Sequence, residues 1–333
     1  MTTSIVRRLV VGLGGAALAA PVALVALVAS TTAHAQSYPA KPVHFVVAFT
    51  AGSATDIIAR AVGDAVARGL GQPIVIDNKP GAGGTIAAAA IAKADPDGYA
   101  LLVHSAGHTV NPAIYPNLPY DTTKDFTAVA PLATLPNVLV APPGRYKSLQ
   151  QLVAAAKASP GKLNYGSAGN GSATHMNAEK FRASAGFDAV HVPFKGTPEA
   201  LSEVMAGRLD FFFAPIVSAL QLIKEGKVVA LAVGTTKRAA LLPDLPTTTE
   251  LGYPGSDFTF WIGLFAPAKT PAGTVARVSQ EIATALQLPQ IRERYAVLGA
   301  EPLSMKPDEF DAYVKGDFEQ NGRIARAAGI RAN

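Results

Sequence analysis

The chain has 333 residues, no cysteine and a formal net charge of +5. The lack of cysteine excludes disulfides, thiolate nucleophiles and cysteine-ligated metals, so an exported chain of this kind must rely on its hydrophobic core. The basic residues are scattered and the six histidines form no motif such as H-E-x-x-H. We therefore expect no nucleic-acid partner, no metal and no other cofactor.

The first 35 residues have the pattern of a secretory leader. Arg7 and Arg8 precede an apolar run over residues 9–28, and a small-residue stretch then ends in an A-x-A cleavage signal at Ala35. We expect cleavage after Ala35, which lowers the charge from +5 to +3. The alternative is an uncleaved membrane anchor, but glycines and Pro21 interrupt the run. No later segment has about eighteen uninterrupted apolar residues, so the mature chain is expected to be soluble.

Short β-branched runs then alternate with alanine-rich helical stretches. The first group of predicted strands covers 43–49, 73–77 and 99–104, with helices over 56–69 and 85–94. Such alternation predicts a doubly wound α/β layer with a mostly parallel sheet. Ligands of such layers bind beyond the carboxyl ends of the strands.

The pattern restarts after residue 137. Further strands are predicted over 138–141, 163–165, 190–194, 210–214, 228–233 and 260–267. Further helices are predicted over 149–158, 174–185, 198–206, 216–225, 273–286, 290–298 and 307–328. This order predicts two α/β lobes with crossings near 134–137 and 256–261. Lobe 1 is expected to comprise 36–137 and 259–333, and lobe 2 to comprise 138–258.

The first predicted strand runs into a small-residue loop and a helix start. Thr50, Ala51 and Gly52 would let a ligand approach bare backbone, and the positive end of the helix dipole lies behind them. The next four residues, Ser53 to Asp56, fit the S-x-x-D capping pattern. We expect Ser53 to cap the helix and Asp56 to be structural, because a carboxylate would repel an anion.

The segment 166–175 repeats this arrangement in the second lobe. Ser172 with His175 three residues later could cap a helix, whereas the run from Ser167 to Gly171 is harder to explain by packing alone. Two such loops, one in each lobe, would face each other across a cleft. They would hold a small dianion or zwitterion by backbone donors.

Other motifs have alternative interpretations. The segment 80–84 lacks the third glycine of a dinucleotide loop, which favours a plain helix entry. Ser105 lies in a sequence like a nucleophile elbow, G-x-S-x-G, except that Val103 replaces the first glycine. A secreted serine-type hydrolase is therefore an alternative function. Lys195 could place positive charge in the cleft or be a solvated loop residue, and Trp261 could belong to the core or to the cleft wall.

Several spaced motifs resemble the Bug-type, or TctC-like, extracytoplasmic solute receptors. They are the stretches 38–60, 77–84, 95–99, 163–172, 192–196, 231–233, 242–249 and 263–267. The resemblance implies a non-enzymatic periplasmic receptor with two doubly wound lobes around a ligand cleft, of type II topology. It also implies a monomer that binds small carboxylates and delivers them to transporter membrane subunits or to a sensor kinase.

The resemblance places ligand contacts on Phe49–Ser53, Ser105–His108 and Ser167–Thr174. With the residues singled out above, the expected contacts are Phe49, Thr50, Ala51, Gly52, Ser53, Ser105, Gly107, His108, Ser167, Ala168, Gly169, Asn170, Thr174, Lys195, Gly196 and Ala214.

Two departures from the family pattern bear on selectivity. The first loop usually reads proline–phenylalanine–proline–alanine–glycine–glycine, whereas this chain has hydroxyl residues at Thr50 and Ser53. Many members also have an acidic residue where this chain has Ala214. Its absence favours plain or aromatic carboxylates over amino acids.

Overall fold

The structure, a computed structural model, describes residues 38–327 and residue 330. The predicted leader over residues 1–35 lies outside the described residues. Met1–Ala40 form a unit of their own, of which only Tyr38–Ala40 are described. The account below concerns the second unit, which begins at Lys41.

The strands and helices alternate along this unit. The strands are β1 (Val43–Val47), β2 (Ile74–Asn78), β3 (Ala100–Ser105), β4 (Phe126–Leu135), β5 (Asn137–Ala141), β6 (Asn164–Ser167), β7 (Val190–Pro193), β8 (Phe211–Pro215), β9 (Val229–Val233), β10 (Phe260–Pro267) and β11 (Glu301–Pro302). The helices are α1 (Ala54–Leu70), α2 (Thr85–Ala92), α3 (Gly107–Ile114), α4 (Leu149–Ala158), α5 (Ala173–Ala185), α6 (Thr197–Met205), α7 (Ile216–Lys224), α8 (Ala272–Gln287), α9 (Pro289–Leu298) and α10 (Pro307–Ala327).

The strands form two mixed sheets. The first has the order β11-β4-β10-β3-β1-β2 and the second β7-β6-β8-β5-β9. The predicted α/β class is confirmed, but the expectation of mostly parallel pairing is wrong. Strands β4 and β10 pair antiparallel in the first sheet, and β5 pairs antiparallel with both neighbours in the second. Strands β5 and β10 are those by which the chain enters a sheet at each passage, and they run opposite to the parallel strands of that sheet.

The chain passes between the sheets at two places. Pro136 alone separates β4 in the first sheet from β5 in the second, and its carbonyl accepts a 3.0 Å hydrogen bond from Ile216 N. The return runs from the end of β9 to Phe260, where Phe258 N donates to Gly234 O at 3.0 Å. The lobe boundaries at 137/138 and 258/259 stay a prediction.

Each sheet has a buried core. In the second sheet Phe181 of α5 packs its ring edge against Phe211 and Phe213 of β8. In the first sheet Trp261 is fully buried, packs against Phe310 of α10, and donates from Nε1 to Asp317 Oδ2 at 3.1 Å. Of its two predicted positions, Trp261 therefore occupies the core.

The sequence analysis did not predict β4, α3 or the two-residue strand β11. Strand β4 contains Pro131, which lacks a backbone donor and normally argues against an interior strand. The ladder between β4 and β10 shifts register beside Pro131, opposite Gly263, and so accommodates it. Helix α3 was missed because Gly107 and Pro112 both lower helix propensity. Elsewhere the predicted elements exist, and their limits move by a few residues at most.

Candidate functional site

A small cavity lies where the carboxyl ends of β1, β3 and β6 meet. It encloses about 10 Å³, roughly the space that one water molecule needs. It is lined by Phe49, Ser53, Ala54, Thr55, Ser105, Ala168, Ser172, Ala173, Thr174, Thr197 and Phe260. These residues come from the layers of both sheets. The cavity therefore lies at the carboxyl ends of the strands, where the sequence predicted ligand binding.

The starts of three helices line this cavity, and a fourth helix begins near it. Ala54 and Thr55 open α1, Ala173 and Thr174 open α5, Thr197 opens α6, and Ser105 stands two residues before α3. Each helix start carries unsatisfied N–H groups and partial positive charge. No charged side chain lines the cavity among the described residues. The site therefore favours a negative group through dipoles and hydroxyls.

Ser53 does not cap α1 as expected. Its side chain makes no capping bond, and its Oγ instead accepts a 3.1 Å hydrogen bond from Thr197 N on the other lobe. Asp56 Oδ2 accepts from Gly52 N at 3.0 Å, one residue earlier than a capping box requires. The loop is thus tied to its helix by Asp56, and Ser53 is left to face α6.

Asp56 is structural in this arrangement. It is buried, and its Oδ1 accepts from Arg60 Nε at 2.9 Å and from Asn78 Nδ2 at 3.0 Å. Burial acts to raise the pKa of Asp56, but the hydrogen bonds from Arg60, Gly52 and Asn78 outweigh it and lower the pKa. The carboxylate therefore stays ionised within its own network and does not line the cavity.

The second loop is held by its own side chains. Ser172 Oγ accepts from His175 N at 3.3 Å, so the predicted cap of α5 is confirmed. Gly171 N donates to His175 Nδ1 at 3.1 Å, Gly169 N to Ser167 Oγ at 3.0 Å, and Ala168 N to a threonine hydroxyl of α5 at 2.9 Å. These N–H groups, expected to face a ligand, have partners inside the loop.

Hydrogen bonds tie each of the two loops to the opposite side of the cleft. Thr50 Oγ1 donates to Glu199 Oε2 at 3.1 Å, so the first departure from the family pattern lies at a lobe–lobe contact. Ser218 Oγ donates to Gly52 O at 3.3 Å, and Tyr115 OH donates to Asn170 O at 3.2 Å. The cleft is therefore closed at the level of these loops.

Glycines allow this close approach. A Cβ on Gly196 would overlap Thr50 Oγ1 and lie 2.6 Å from Ser53 Oγ, and one on Gly107 would lie 2.8 Å from Gly171 O. Gly83 opposes the carbonyl of Asn170 just as closely. Gly83 belongs to segment 80–84, which the sequence favoured as a plain helix entry, and it faces the second loop.

The remaining expected contacts lie elsewhere. His108 is fully buried within the first sheet's layer, with its ring 4.8 Å from Phe126 and 4.7 Å from Phe265. Burial lowers its pKa well below the usual value. Ala214 is buried in β8, Lys195 is exposed, and Ala51 lies exposed at the tip of the first loop. None of these four residues lines the cavity.

Sequence reasoning missed six of the cavity-lining residues. They are Ala54, Thr55, Ser172, Ala173, Thr197 and Phe260. The first five stand at the starts of helices or at their caps, immediately after the loops that were singled out. A rule that extends each loop into the first helical turn would have found them. Phe260 carried no signal, because it reads as the first residue of an apolar strand.

Ser105 has no nucleophilic geometry. Its backbone N–H donates to His104 Nδ1 at 2.8 Å, so the neighbouring imidazole is engaged by the main chain. His104 is fully buried, and burial lowers its pKa to about 4. Within residues 38–327, no group of three histidine, aspartate or glutamate side chains could hold a metal ion.

Comparison with known proteins identifies the family. The sequence profile of the tripartite tricarboxylate transporter family receptor, TctC, matches residues 58–330. The chain belongs to this family. Its members are periplasmic solute-binding receptors and not enzymes, so the hydrolase alternative finds no support.

Three solved structures of similar chains show the same fold. The periplasmic binding protein BugD is 33% identical with a TM-score of 0.84, and the match covers 89% of this TctC chain and 100% of BugD. Rpa4515 of R. palustris with adipate is 32% identical with a TM-score of 0.84, over 88% and 99% of the two chains. MatC (Rpa3494) from Rhodopseudomonas palustris with bound malate is 35% identical with a TM-score of 0.83, over 86% and 99%.

Among the helices in the described part of this TctC chain, none combines the length and the apolar character that crossing a bilayer requires.

Proposed function

We propose that this TctC receptor captures a small carboxylate, most readily a dicarboxylate, in the cleft between its lobes. The observation that carries the proposal is the convergence of three helix starts, with a fourth nearby, on one cavity that no charged side chain lines among the described residues. Helix N-termini bind carboxylates through N–H groups and the helix dipole. Hydroxyls of Ser53, Ser105, Ser172 and Thr174 add further donors.

The lining also bears on ligand type. Phe49 and Phe260 offer apolar contact for a short carbon chain or a ring. Neither an aspartate nor a glutamate lines the cavity to pair with an ammonium group. Adipate and malate, the acids bound by two similar proteins, are both dicarboxylates without an amino group. Plain dicarboxylates and aromatic acids are therefore favoured over amino acids.

Ligand entry requires the lobes to separate. A cavity of about 10 Å³ cannot admit a dicarboxylate while each loop remains bonded to the opposite lobe. In this proposal lobe 1, residues 36–137 with 259–333, rotates away from lobe 2, residues 138–258. The ligand then favours closure to the extent that it binds the closed form more tightly.

The wider role follows from export and closure. The mature receptor begins after cleavage at Ala35, acts as a monomer in the periplasm, and presents its closed form to transporter membrane subunits or to a sensor kinase. The mild positive charge of the mature chain suits an anionic solute.

A thermal-shift screen followed by calorimetry tests this proposal. The panel contains malate, adipate, succinate, benzoate, glutamate and aspartate. At a ligand concentration of about 1,000 times Kd, a true ligand should stabilise the receptor by about 4 kcal/mol. Small-angle scattering should show a smaller radius of gyration with the ligand than without it.

Two results would contradict the proposal. A panel of carboxylates without any response would remove its basis. Micromolar binding of glutamate or aspartate in preference to malate and adipate would overturn the assignment to acids without an amino group.

A further inference from the structure

Two histidines stack directly behind the second cleft loop, residues 167–172. The rings of His175 on α5 and His191 on β7 lie 3.9 Å apart between centroids and within 10° of parallel. Tyr165 of β6 stacks on His191 at 5.0 Å. Stacking of this kind fixes ring orientation, so the nitrogen atoms of both histidines have defined directions.

Each ring offers one nitrogen to the loop. His175 Nδ1 accepts from Gly171 N at 3.1 Å. His191 Nε2 lies 2.6 Å from Ser167 Oγ, which itself accepts from Gly169 N at 3.0 Å. Because Ser167 Oγ already receives an N–H, its own proton is free to be donated to His191. Because His175 Nδ1 accepts an N–H, that ring is neutral with its proton on Nε2. With Ser167 as the donor, His191 is likewise neutral with its proton on Nδ1.

The opposite face of the loop meets lobe 1. Gly169 approaches so closely that a Cβ there would lie 3.0 Å from Gly83 N, and one on Gly171 would lie 2.6 Å from Asn111 Oδ1. Both glycines have positive φ, +119° and +76°, which ties their conformation to particular hydrogen bonds. The histidines therefore hold the loop from behind in the shape that the cleft uses in front.

We propose that His175 and His191 are positioning residues, which keep the second cleft loop in its ligand-binding shape through one acceptor nitrogen each. The effect on ligand affinity rests on the function proposed above, whereas the effect on the loop does not.

The surrounding charges are consistent with neutral rings. Glu179 of α5 is buried and occupied, since it accepts from Tyr165 OH and from Arg182 Nη2 at 3.0 Å. Arg182 also pairs with an aspartate, Asp188, at 2.9 Å. Burial lowers the pKa of both histidines to about 3. The charge of Arg182 lowers the pKa of His175 further, and His175 does the same for His191. The two ring nitrogens that face the loop therefore stay unprotonated, and can accept hydrogen bonds, at neutral and mildly acidic pH.

Paired substitutions separate the acceptor nitrogen from the ring. H175N and H191Q place an amide oxygen near the acceptor positions, whereas H175F and H191F keep a stacked ring without an acceptor. H44F is the matched control, because His44 is exposed, pairs with Asp77 at 2.6 Å, and lies at the start of β1, away from the strand end that enters the cleft. All variants are first checked for wild-type circular dichroism and thermal unfolding.

The decisive measurement is amide hydrogen exchange of Gly169 and Gly171 by NMR, without any ligand. In H175F the Gly171 N–H loses its acceptor, and in H191F Ser167 Oγ loses the ring nitrogen that orients it toward Gly169 N. Exchange should therefore speed by about tenfold at Gly171 in H175F and at Gly169 in H191F. H175N, H191Q and H44F should stay within about threefold of wild type. With malate or adipate as the probe, affinity should fall by about tenfold in the phenylalanine variants and be retained in the amide variants.

Each outcome decides the question. Wild-type exchange in folded H175F and H191F would overturn the positioning role. If those variants do not fold, ¹⁵N imidazole shifts of the wild type decide instead, since a proton on His175 Nδ1 or His191 Nε2 at pH 7 would contradict the proposal. Altered exchange in a receptor that binds neither probe would support the positioning role and count against the proposed ligand class.

Discussion

Individual small residues control how closely the lobes approach. Gly196 has extended backbone, with φ of −172°, which any residue can adopt. A glycine is therefore required at this position only because the Thr50 and Ser53 hydroxyls across the cleft lie where a Cβ atom would be. Those hydroxyls are themselves engaged by Glu199 and Thr197. A side chain at Gly196 would displace both hydrogen bonds in the closed form.

We expect G196A to weaken ligand binding without unfolding the receptor. The added methyl group would cost the closed form about 1–2 kcal/mol, which is about a tenfold rise in Kd. Calorimetry with malate or adipate gives the Kd, and urea unfolding should change by less than about 1 kcal/mol. G273A is the matched control, because a Cβ there meets no atom within 4 Å. Equal affinities of the two variants would refute the role given to Gly196.

Residue types alone predicted part of this site. Small residues after predicted strands indicated the loops at Gly52 and Gly169, because only a loop near a helix start needs them. The sequence could not show that Gly52 N would bond to Asp56 or that Gly169 N would bond to Ser167. Those choices depend on side-chain directions set by packing, and they decide which donors face the ligand.

At the scale of elements, helix starts bring the site together. Helices α1 and α5 both begin at the cavity, but only α5 has a side-chain cap, from Ser172. Ser148 caps α4 in the same way, by accepting from Gln151 N at 3.2 Å, and lies outside the cavity lining. The chain thus offers two equivalent caps, one at the ligand site and one away from it.

S172A and S148A should separate stability from binding. Loss of either cap should lower the free energy of unfolding by about 1 kcal/mol. Only S172A should also weaken binding of malate or adipate, because Ser172 lines the cavity and supports the loop. Urea unfolding and calorimetry measure the two effects. An equal loss of affinity in S148A would show that cap loss acts on binding through global stability.

Helices and strands were predictable where the hydrophobic periodicity and the secondary-structure propensity of the residues indicate the same element. The limits of α4 and β10 were predicted to the residue, since both have clear apolar patterns and clear ends. Strand β4 was not, because Pro131 is compatible with a strand only through the register shift against β10. Antiparallel entry of β5 and β10 likewise depends on long-range pairing that local sequence does not encode.

For the whole molecule, buried neutral histidines link stability to acidity. Of the six histidines in the chain, His104, His108 and His175 are buried in the described residues. Burial lowers the pKa to about 4 for His104, well below the usual value for His108, and to about 3 for His175. In the unfolded chain each would titrate near pH 6.5. The unfolded state therefore binds more protons below that pH.

We expect stability to be full above about pH 6.5 and to fall as the pH is lowered toward the folded-state pKa values. Between pH 7 and pH 5 each fully buried histidine should remove about 2 kcal/mol, on the order of 5 kcal/mol for the three. Urea unfolding at pH 7, 6 and 5 measures this before most carboxylates titrate. A constant free energy of unfolding over that range would show that the histidines are not buried as neutral groups.

The passage at Pro136 has a mechanical consequence. One residue, with its φ fixed near −65° by the proline ring, connects the two sheets there, whereas the return from Val233 to Phe260 is long. A link this short cannot lengthen, so the sheets cannot slide apart or translate past each other. Opening is therefore a rotation about a pivot beside Pro136, without a translation of one sheet past the other. A partner in the membrane would then need to sense that rotation.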